Sequence, residues 1–423
     1  MLLPDLLHLR AAPGTPLVFP KFMYNREAFG VQDRSCGGSY GKSIRDSCVD
    51  ACASAAFTHP ELRGEAKSAP ILRERGVFAG WLRSSCPEQA GFVRIFVTGA
   101  EGFIGSHLVE ALLERGHQVT SLVQYNSFGN TGWLKAGLLE GGKGSSIVFG
   151  DVRDAEFLAS SMENQDVVLH LAALIAIPYS FHAPRSYIET NATGTLNVLE
   201  AARRSGVSRV VHTSTSEVYG SAQYVPIDER HPVVGQSPYS ASKISADQIA
   251  HSYWASFGLP VTTVRPFNAY GPRQSQRAFI PSVIIQQLAG VTKLALGSLH
   301  PTRDLTFVQD TVAGFVAVAE ASGGLGEVFN MGSGFEVSMR EVLSIISEVS
   351  GTVLQAEEDT ARVRPAAAEV ERLWSDSSKI KDVFGWESAH KGPEGLRLGL
   401  EKTYRWFQDN QNLPGYRAEK YVV

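Results

Sequence analysis

Tyr239 and Lys243 stand four residues apart in Tyr239-Ser240-Ala241-Ser242-Lys243, a spacing that puts a phenol and an ammonium on one face of a helix. A nearby cation stabilises tyrosinate and lowers the phenol pKa, so this pair is equipped to take a proton from a substrate hydroxyl while hydride leaves the same carbon. Taken alone, Tyr-x-x-x-Lys is a common accident. The preceding segment makes it less so, because Val210-Val211-His212-Thr213-Ser214-Thr215-Ser216-Glu217 reads as a strand that ends in hydroxyls and a carboxylate. In parallel sheets such strand ends line the ligand crevice. Thr215 can hydrogen-bond the reacting hydroxyl there, and Glu217 is a general-base candidate.

A second chemical feature is Gly99-Ala100-Glu101-Gly102-Phe103-Ile104-Gly105. A dinucleotide's pyrophosphate needs a tight turn, backbone free of Cβ atoms, and a helix N-terminus whose N–H groups and dipole face the anion. Glycines at this spacing supply all three, and they fall between a strand-like and a helix-like segment, as the motif requires. The Gly-x-x-Gly-x-x-Gly spacing points toward proteins of the short-chain dehydrogenase type. The competing use of these glycines is turning and close packing alone. About twenty residues further on, an acid is expected to bind the adenosine ribose. The second strand ends instead in Leu122-Val123-Gln124-Tyr125-Asn126, with neither an acid nor an Arg for a 2′-phosphate. NAD is therefore the expected cofactor. Asp151, in Gly150-Asp151-Val152, stands where a carboxylate can accept from the adenine amino group, and capping a helix is its equally weighted alternative.

These residues need a frame to hold them. Val93–Thr98 is a β-branched and aromatic run that reads as a buried strand, and Ile104, Leu108, Leu112 and Leu113 share one face of a helix stopping at Gly116. Strands follow at 118–123, 146–149, 167–171, 209–213 and 261–264, separated by helical segments such as Gly194–Ser205. Alternating strands and helices predict a parallel sheet wrapped by helices. Beyond about Pro272 the order is more mixed, which predicts a second, smaller lobe. The chain of 423 residues, with 43% hydrophobic and 19% charged residues, has the composition of a globular protein and not of a disordered one. With 43 acidic against 39 basic residues it has no global attraction to nucleic acid or to an anionic membrane. No stretch approaches the ~20 apolar residues of a membrane span, and the N-terminus lacks the pattern of a signal peptide. A cytoplasmic location follows as the default expectation.

Residues 1–92 differ from the rest. No sustained period runs through them, seven prolines interrupt them, and they hold all four cysteines, Cys36, Cys48, Cys52 and Cys86, at spacings that match no paired zinc pattern. They read as a poorly ordered extension: a flexible tail, a targeting or regulatory segment, or residues from upstream of the true start. No metal site is expected. The predicted organisation is an extension at 1–92, a dinucleotide-binding domain at 93–271, and a mainly substrate-binding lobe at 272–423.

From Val93 onward the sequence resembles the extended short-chain dehydrogenase/reductases that act on nucleotide sugars. The resemblance rests on the glycine turn, His170-Leu171-Ala172-Ala173, Thr190-Asn191-Ala192-Thr193-Gly194-Thr195, Thr215-Ser216-Glu217-Val218-Tyr219-Gly220, Tyr239–Lys243, Arg265 through Arg273, and Arg303-Asp304. It implies an α/β fold with a Rossmann-type doubly wound parallel sheet and a smaller mixed α/β C-terminal substrate lobe. It also implies that Phe103, Ile104, Val152, Leu171, Ala172, Ala173 and Thr190 border the cofactor with the glycines, and that Asn268, Arg303 and Arg364 hold the nucleotide diphosphate. Tyr125 through Phe128, Gly132-Trp133-Leu134 and Glu369 through Asp376 are most similar to the 4,6-dehydratases, above all the N-acetylglucosamine nucleotide enzyme of legionaminic-acid biosynthesis. That branch implies conversion of a nucleotide hexose to its 4-keto-6-deoxy form. In it Tyr239 deprotonates the C4 hydroxyl and Glu217 removes the C5 proton. Ser216 departs from some glucose-type dehydratases, which carry Asp there, and resembles the mannose-type ones, so either Glu217 returns its proton to the leaving hydroxyl or a water relays one. A decarboxylase, a 4-epimerase and a non-catalytic dinucleotide-binding regulator are the alternatives. Family membership implies a homodimer through the Tyr239 helix.

Overall fold

Six runs of β-branched and aliphatic residues form six neighbouring strands. In the computed structural model, which describes residues 92–134, 144–363, 365–413 and 415–416, these are β1 (Arg94–Thr98), β2 (Gln118–Gln124), β3 (Ser145–Gly150), β4 (Val167–His170), β5 (Arg209–Thr213) and β6 (Val261–Pro266). β4 and β6 are buried throughout, which is what sheets covered on both faces require. The strand expectations hold to within one or two residues. The expected N-terminal extension, with all four cysteines, lies outside the described residues except for Phe92.

Beyond β6 come β7 (Asn268–Tyr270), β8 (Lys293–Leu296), β9 (Thr302–Phe307), β10 (Val328–Met331), β11 (Glu336–Ser338), β12 (Gln355–Glu358) and β13 (Arg372–Leu373). The main sheet is seven-stranded and parallel, in the order β10-β6-β5-β4-β1-β2-β3. Strand order reverses between β1 and β4, and a crevice opens at such a switch point beyond the carboxyl ends of the strands. β10 was not foreseen in this sheet. The chain past residue 271 thus serves both lobes. β9 centres the second sheet, pairing antiparallel with β11 and parallel with β7 and β13.

Four helices matter for the site: α1 (Phe103–Glu114), α2 (Ala155–Ser161), α3 (Gly194–Ser205) and α4 (Pro238–Phe257). α1 buries Leu108, Val109 and Leu112 in a core that continues through Val283, Phe315 and Phe407 of the C-terminal half, so the two lobes share apolar packing. A second core on the other face joins Phe96, Val198, Leu199, Val210 and Ala250. Among the described residues no helix is long and apolar enough to cross a membrane.

Candidate active site

The turn after β1 is shaped by what cannot fit in it. Gly99 has φ +67°, and a Cβ there would lie 2.8 Å from the backbone nitrogen of Ala172. A Cβ on Gly105 would come within 2.1 Å of the Gly99 carbonyl oxygen. The turn therefore packs directly against the end of β4. Gly102 is the N-cap of α1 and contributes no side-chain cap, which leaves the first-turn N–H groups and the positive helix end facing the crevice. This combination fits the pyrophosphate of a dinucleotide. Gly105→Ala is expected to cost about 3 kcal/mol or more of stability through this overlap and to lose dinucleotide binding. An unchanged denaturation midpoint would contradict the packing argument.

The end of β4 is fixed by a buried polar chain. Thr98 Oγ1 accepts from Leu171 N at 3.1 Å and Ala172 N at 3.0 Å, and it meets His170 Nδ1 at 2.8 Å. With both N–H bonds accepted, the Thr98 hydroxyl proton goes to Nδ1, and His170 donates from Nε2 to Thr195 Oγ1 at 3.0 Å. Burial pushes the His170 pKa well down, so the ring is neutral. The chain holds Leu171 and Ala172 where the glycine turn closes on them.

α4 carries the phenol and the ammonium. A capping box starts it: Ser237 Oγ accepts from Ser240 N at 3.1 Å, and Ser237 N donates to Ser240 Oγ at 3.0 Å, with Pro238 in the first turn. Tyr239 is thereby locked in the first turn and Lys243 one turn on, and both are buried. Lys243 Nζ donates to the Thr213 carbonyl at 2.7 Å, tying α4 to the end of β5. Burial pushes Lys243 down to about 8 against the opposing charge of Asp247. Burial likewise pushes the Tyr239 phenol above its ordinary value, against a hydrogen bond from Thr215 that favours the phenolate. Thr215 caps the short turn Ser216–Tyr219 by accepting from Glu217 N at 3.2 Å. Its hydroxyl proton is left for Tyr239. Glu217, on that same turn, is only 7% exposed.

Behind α4 lies a cluster that the sequence did not reveal. Asp247 accepts from Ser214 Oγ at 2.8 Å, from His212 Nε2 at 3.1 Å, and from both Nε and Nη2 of Arg265. Burial raises its pKa, but the His212 hydrogen bond and the Arg265 charge outweigh that and bring it to about 2. The ionised carboxylate stands one turn past Lys243 on its helix.

One cavity of about 710 Å³ brings the expected residues together. Gly99, Gly102, Phe103, Ile104, Gly105, Asp151, Val152, Leu171, Ala172, Ala173 and Thr190 line it around the glycine turn, and Thr215, Ser216, Glu217, Tyr239 and Lys243 line it further on. Thr190 sits in a π-helical turn, Ile188–Thr193, that leads into α3; such turns gather at functional sites. Asn268 and Arg303 line the other end, where Asn268 Oδ1 is buried without a hydrogen-bond partner among the described residues and Arg303 Nη2 lies 3.4 Å from Glu369. Arg364 lies outside the described residues. Two cations that sequence reasoning passed over, Arg277 and Arg362, also line the cavity, and guanidinium groups suit a diphosphate. The capping alternative for Asp151 is overturned: Asp154 caps α2, accepting from Phe157 N, while the Asp151 carboxylate accepts from Arg153 N, Nε and Nη2. Among the described residues no group of three His, Cys, Asp or Glu could hold a metal ion.

The chain is similar to known proteins. The family model described as GDP-mannose 4,6 dehydratase matches residues 96–398. The UDP-glucose 4-epimerase of Mycolicibacterium smegmatis is 35% identical over 323 residues, covering 75% of this chain and 99% of that protein. The dTDP-glucose 4,6-dehydratase of Xanthomonas campestris pv. campestris (strain B100) is 33% identical over 348 residues, covering 77% and 97%. The crystal structure of DesIV, a dTDP-glucose 4,6-dehydratase from Streptomyces venezuelae with NAD and TYD bound, superposes with a TM-score of 0.67 at 32% identity, covering 75% of this chain and 98% of that one. With the glycine turn, the Thr215–Glu217 strand end and the Tyr239–Lys243 helix in one cavity, the chain belongs to the GDP-mannose 4,6-dehydratase family of extended short-chain dehydrogenase/reductases.

Proposed function

We propose that the chain is an NAD-dependent nucleotide-sugar 4,6-dehydratase that converts a nucleotide-linked hexose to its 4-keto-6-deoxy form. The observation that carries the proposal is a buried carboxylate, Glu217, in one cavity with Thr215, Tyr239 and Lys243. A 4-epimerase needs the phenol, the ammonium and the hydroxyl but no carboxylate here. Overall similarity does not separate the two readings, since a relative 35% identical is named an epimerase and one 33% identical a dehydratase. Glu217 does.

Tyr239, as phenolate, takes the proton of the C4 hydroxyl, and Thr215 donates a hydrogen bond to the phenol oxygen. When bound, NAD supplies the acceptor for the C4 hydride and its return to C6, so no cofactor is consumed overall. The C4 ketone acidifies the C5 hydrogen, which Glu217 removes. Glu217 then holds the proton that the C6 hydroxyl needs to leave as water, a task for which the Ser216 hydroxyl is too weak an acid. Tyr239 releases the C4 hydroxyl proton to solvent and a solvent proton adds to C5, which completes the balance. Arg303, Asn268, Arg277 and Arg362 hold the diphosphate end.

The proposed hexose is N-acetylglucosamine, on the resemblance of three segments. One of them borders the site, since Glu369 lines the cavity beside Arg303. The catalytic unit is proposed to be residues 93–423, acting as a dimer through α4. A panel of UDP-, GDP- and dTDP-linked hexoses, read by product mass, tests the reading. Loss of one water supports it, whereas loss of carbon dioxide or an unchanged mass with inverted C4 would refute it.

A further inference from the structure

An unmodified adenosine ribose presents two hydroxyl donors, usually met by a carboxylate at the end of the second strand. β2 ends in Gln124 and is followed by Tyr125 and Asn126, so it offers none. A carboxylate reaches that place from another element. Glu101, inside the glycine turn, extends to β2 so that its Oε1 accepts from Gln124 N at 2.9 Å. Its Oε2 is buried and finds no hydrogen-bond partner among the described residues. The side chain borders the cavity with Gly99, Gly102, Gln124 and Asp151. Its backbone is pinned, since Trp133 N donates to Glu101 O at 3.0 Å and a Cβ on Gly132 would lie 2.9 Å from Glu101 Cβ. A buried carboxylate oxygen without a donor is costly, and each such group in a native fold calls for a reason, a ligand being one.

We propose that Glu101 is the residue that accepts the hydrogen bonds of the adenosine ribose hydroxyls and selects against a 2′-phosphate. The proposal rests on the dinucleotide reading above. Selection follows from charge: a phosphate on the 2′ oxygen would bring an anion against the half-buried Glu101 carboxylate and would offer no donor. Arg153, which among the described residues is the cation lining the cavity beside Asp151, is engaged by that carboxylate through a 2.6 Å Nη2–Oδ2 contact, so it does not offset Glu101.

The test is direct binding of NAD and of NADP to the purified full chain, by calorimetry, for the wild type and for Glu101→Gln. The amide keeps the size of the side chain and an acceptor for Gln124 N. The wild type is expected to prefer NAD. In the variant, NAD binding is expected to weaken about tenfold or more, the scale of a hydrogen bond to a charged group, while NADP binding strengthens. A gain of NADP affinity cannot come from misfolding. Weaker NAD binding with an unchanged NAD-to-NADP ratio overturns the proposal, and so does a variant identical to wild type. A wild type that binds neither dinucleotide overturns the dinucleotide reading and this proposal with it.

Discussion

Glu217→Gln is expected to abolish loss of water from the nucleotide sugar, a fall of about 10²–10⁴-fold, the usual span for removing a general acid–base group. The amide has the volume of the carboxylate, so the 7% exposed site stays filled. It cannot take the C5 proton, nor hold one for the departing C6 hydroxyl. Both halves of the elimination fail together. The glycine turn and the Thr98–His170 chain do not involve Glu217, so dinucleotide affinity should stay within about twofold of wild type, as expected of a distant independent site. An epimerase would retain its rate in this variant, because inversion at C4 requires no base at C5. Steady-state turnover together with binding calorimetry checks the prediction, and a variant with full dehydration activity would contradict it.

Tyr239→Phe should also reduce turnover about 10²–10⁴-fold, since it removes the base at C4. A pH–rate profile would report how that base is ionised. Burial pushes the Tyr239 phenol up, so the phenolate depends on nearby positive charge, and Lys243 is the ammonium one turn along α4. Burial sets Lys243 at about 8, below its ordinary 10.5. The sign follows: below about pH 8 the ammonium is charged and supports the phenolate, and above it the charge and the support are lost. Turnover should therefore fall on the alkaline side near pH 8. In Lys243→Met that limb should vanish along with most of the activity. Asp247→Asn should move the limb to lower pH, because the Asp247 charge raises the Lys243 pKa. A profile that is the same in wild type and Lys243→Met would contradict the pairing.

Much of this site was legible because it is local. Tyr239 and Lys243 share a helix face by spacing alone, and the glycine turn is contiguous. β1, β4, β5 and β6 were readable since strands buried on both faces are largely runs of β-branched residues without polar alternation. What stayed hidden depends on contacts between distant segments. Val328–Met331 looks like any short apolar strand, and nothing in its residues says that it pairs with Val261–Pro266. Asp247 collects Ser214, His212 and Arg265 from two strands, and no spacing encodes such a meeting. Asp151 and Asp154 are both plausible caps in sequence, and only the hydrogen bond to Phe157 N separates them. Glu101 occupied a variable position between glycines. Its reach to Gln124 depends on β1 and β2 being neighbours.

The central claim is that Glu217 makes this site a dehydratase. It is tested most directly by turnover of a nucleotide-linked N-acetylhexosamine in deuterium oxide, with the product read by mass and by proton resonance. The account predicts a product lighter by one water that carries solvent deuterium at C5. A product of unchanged formula, inverted at C4 and without deuterium at C5, would contradict it.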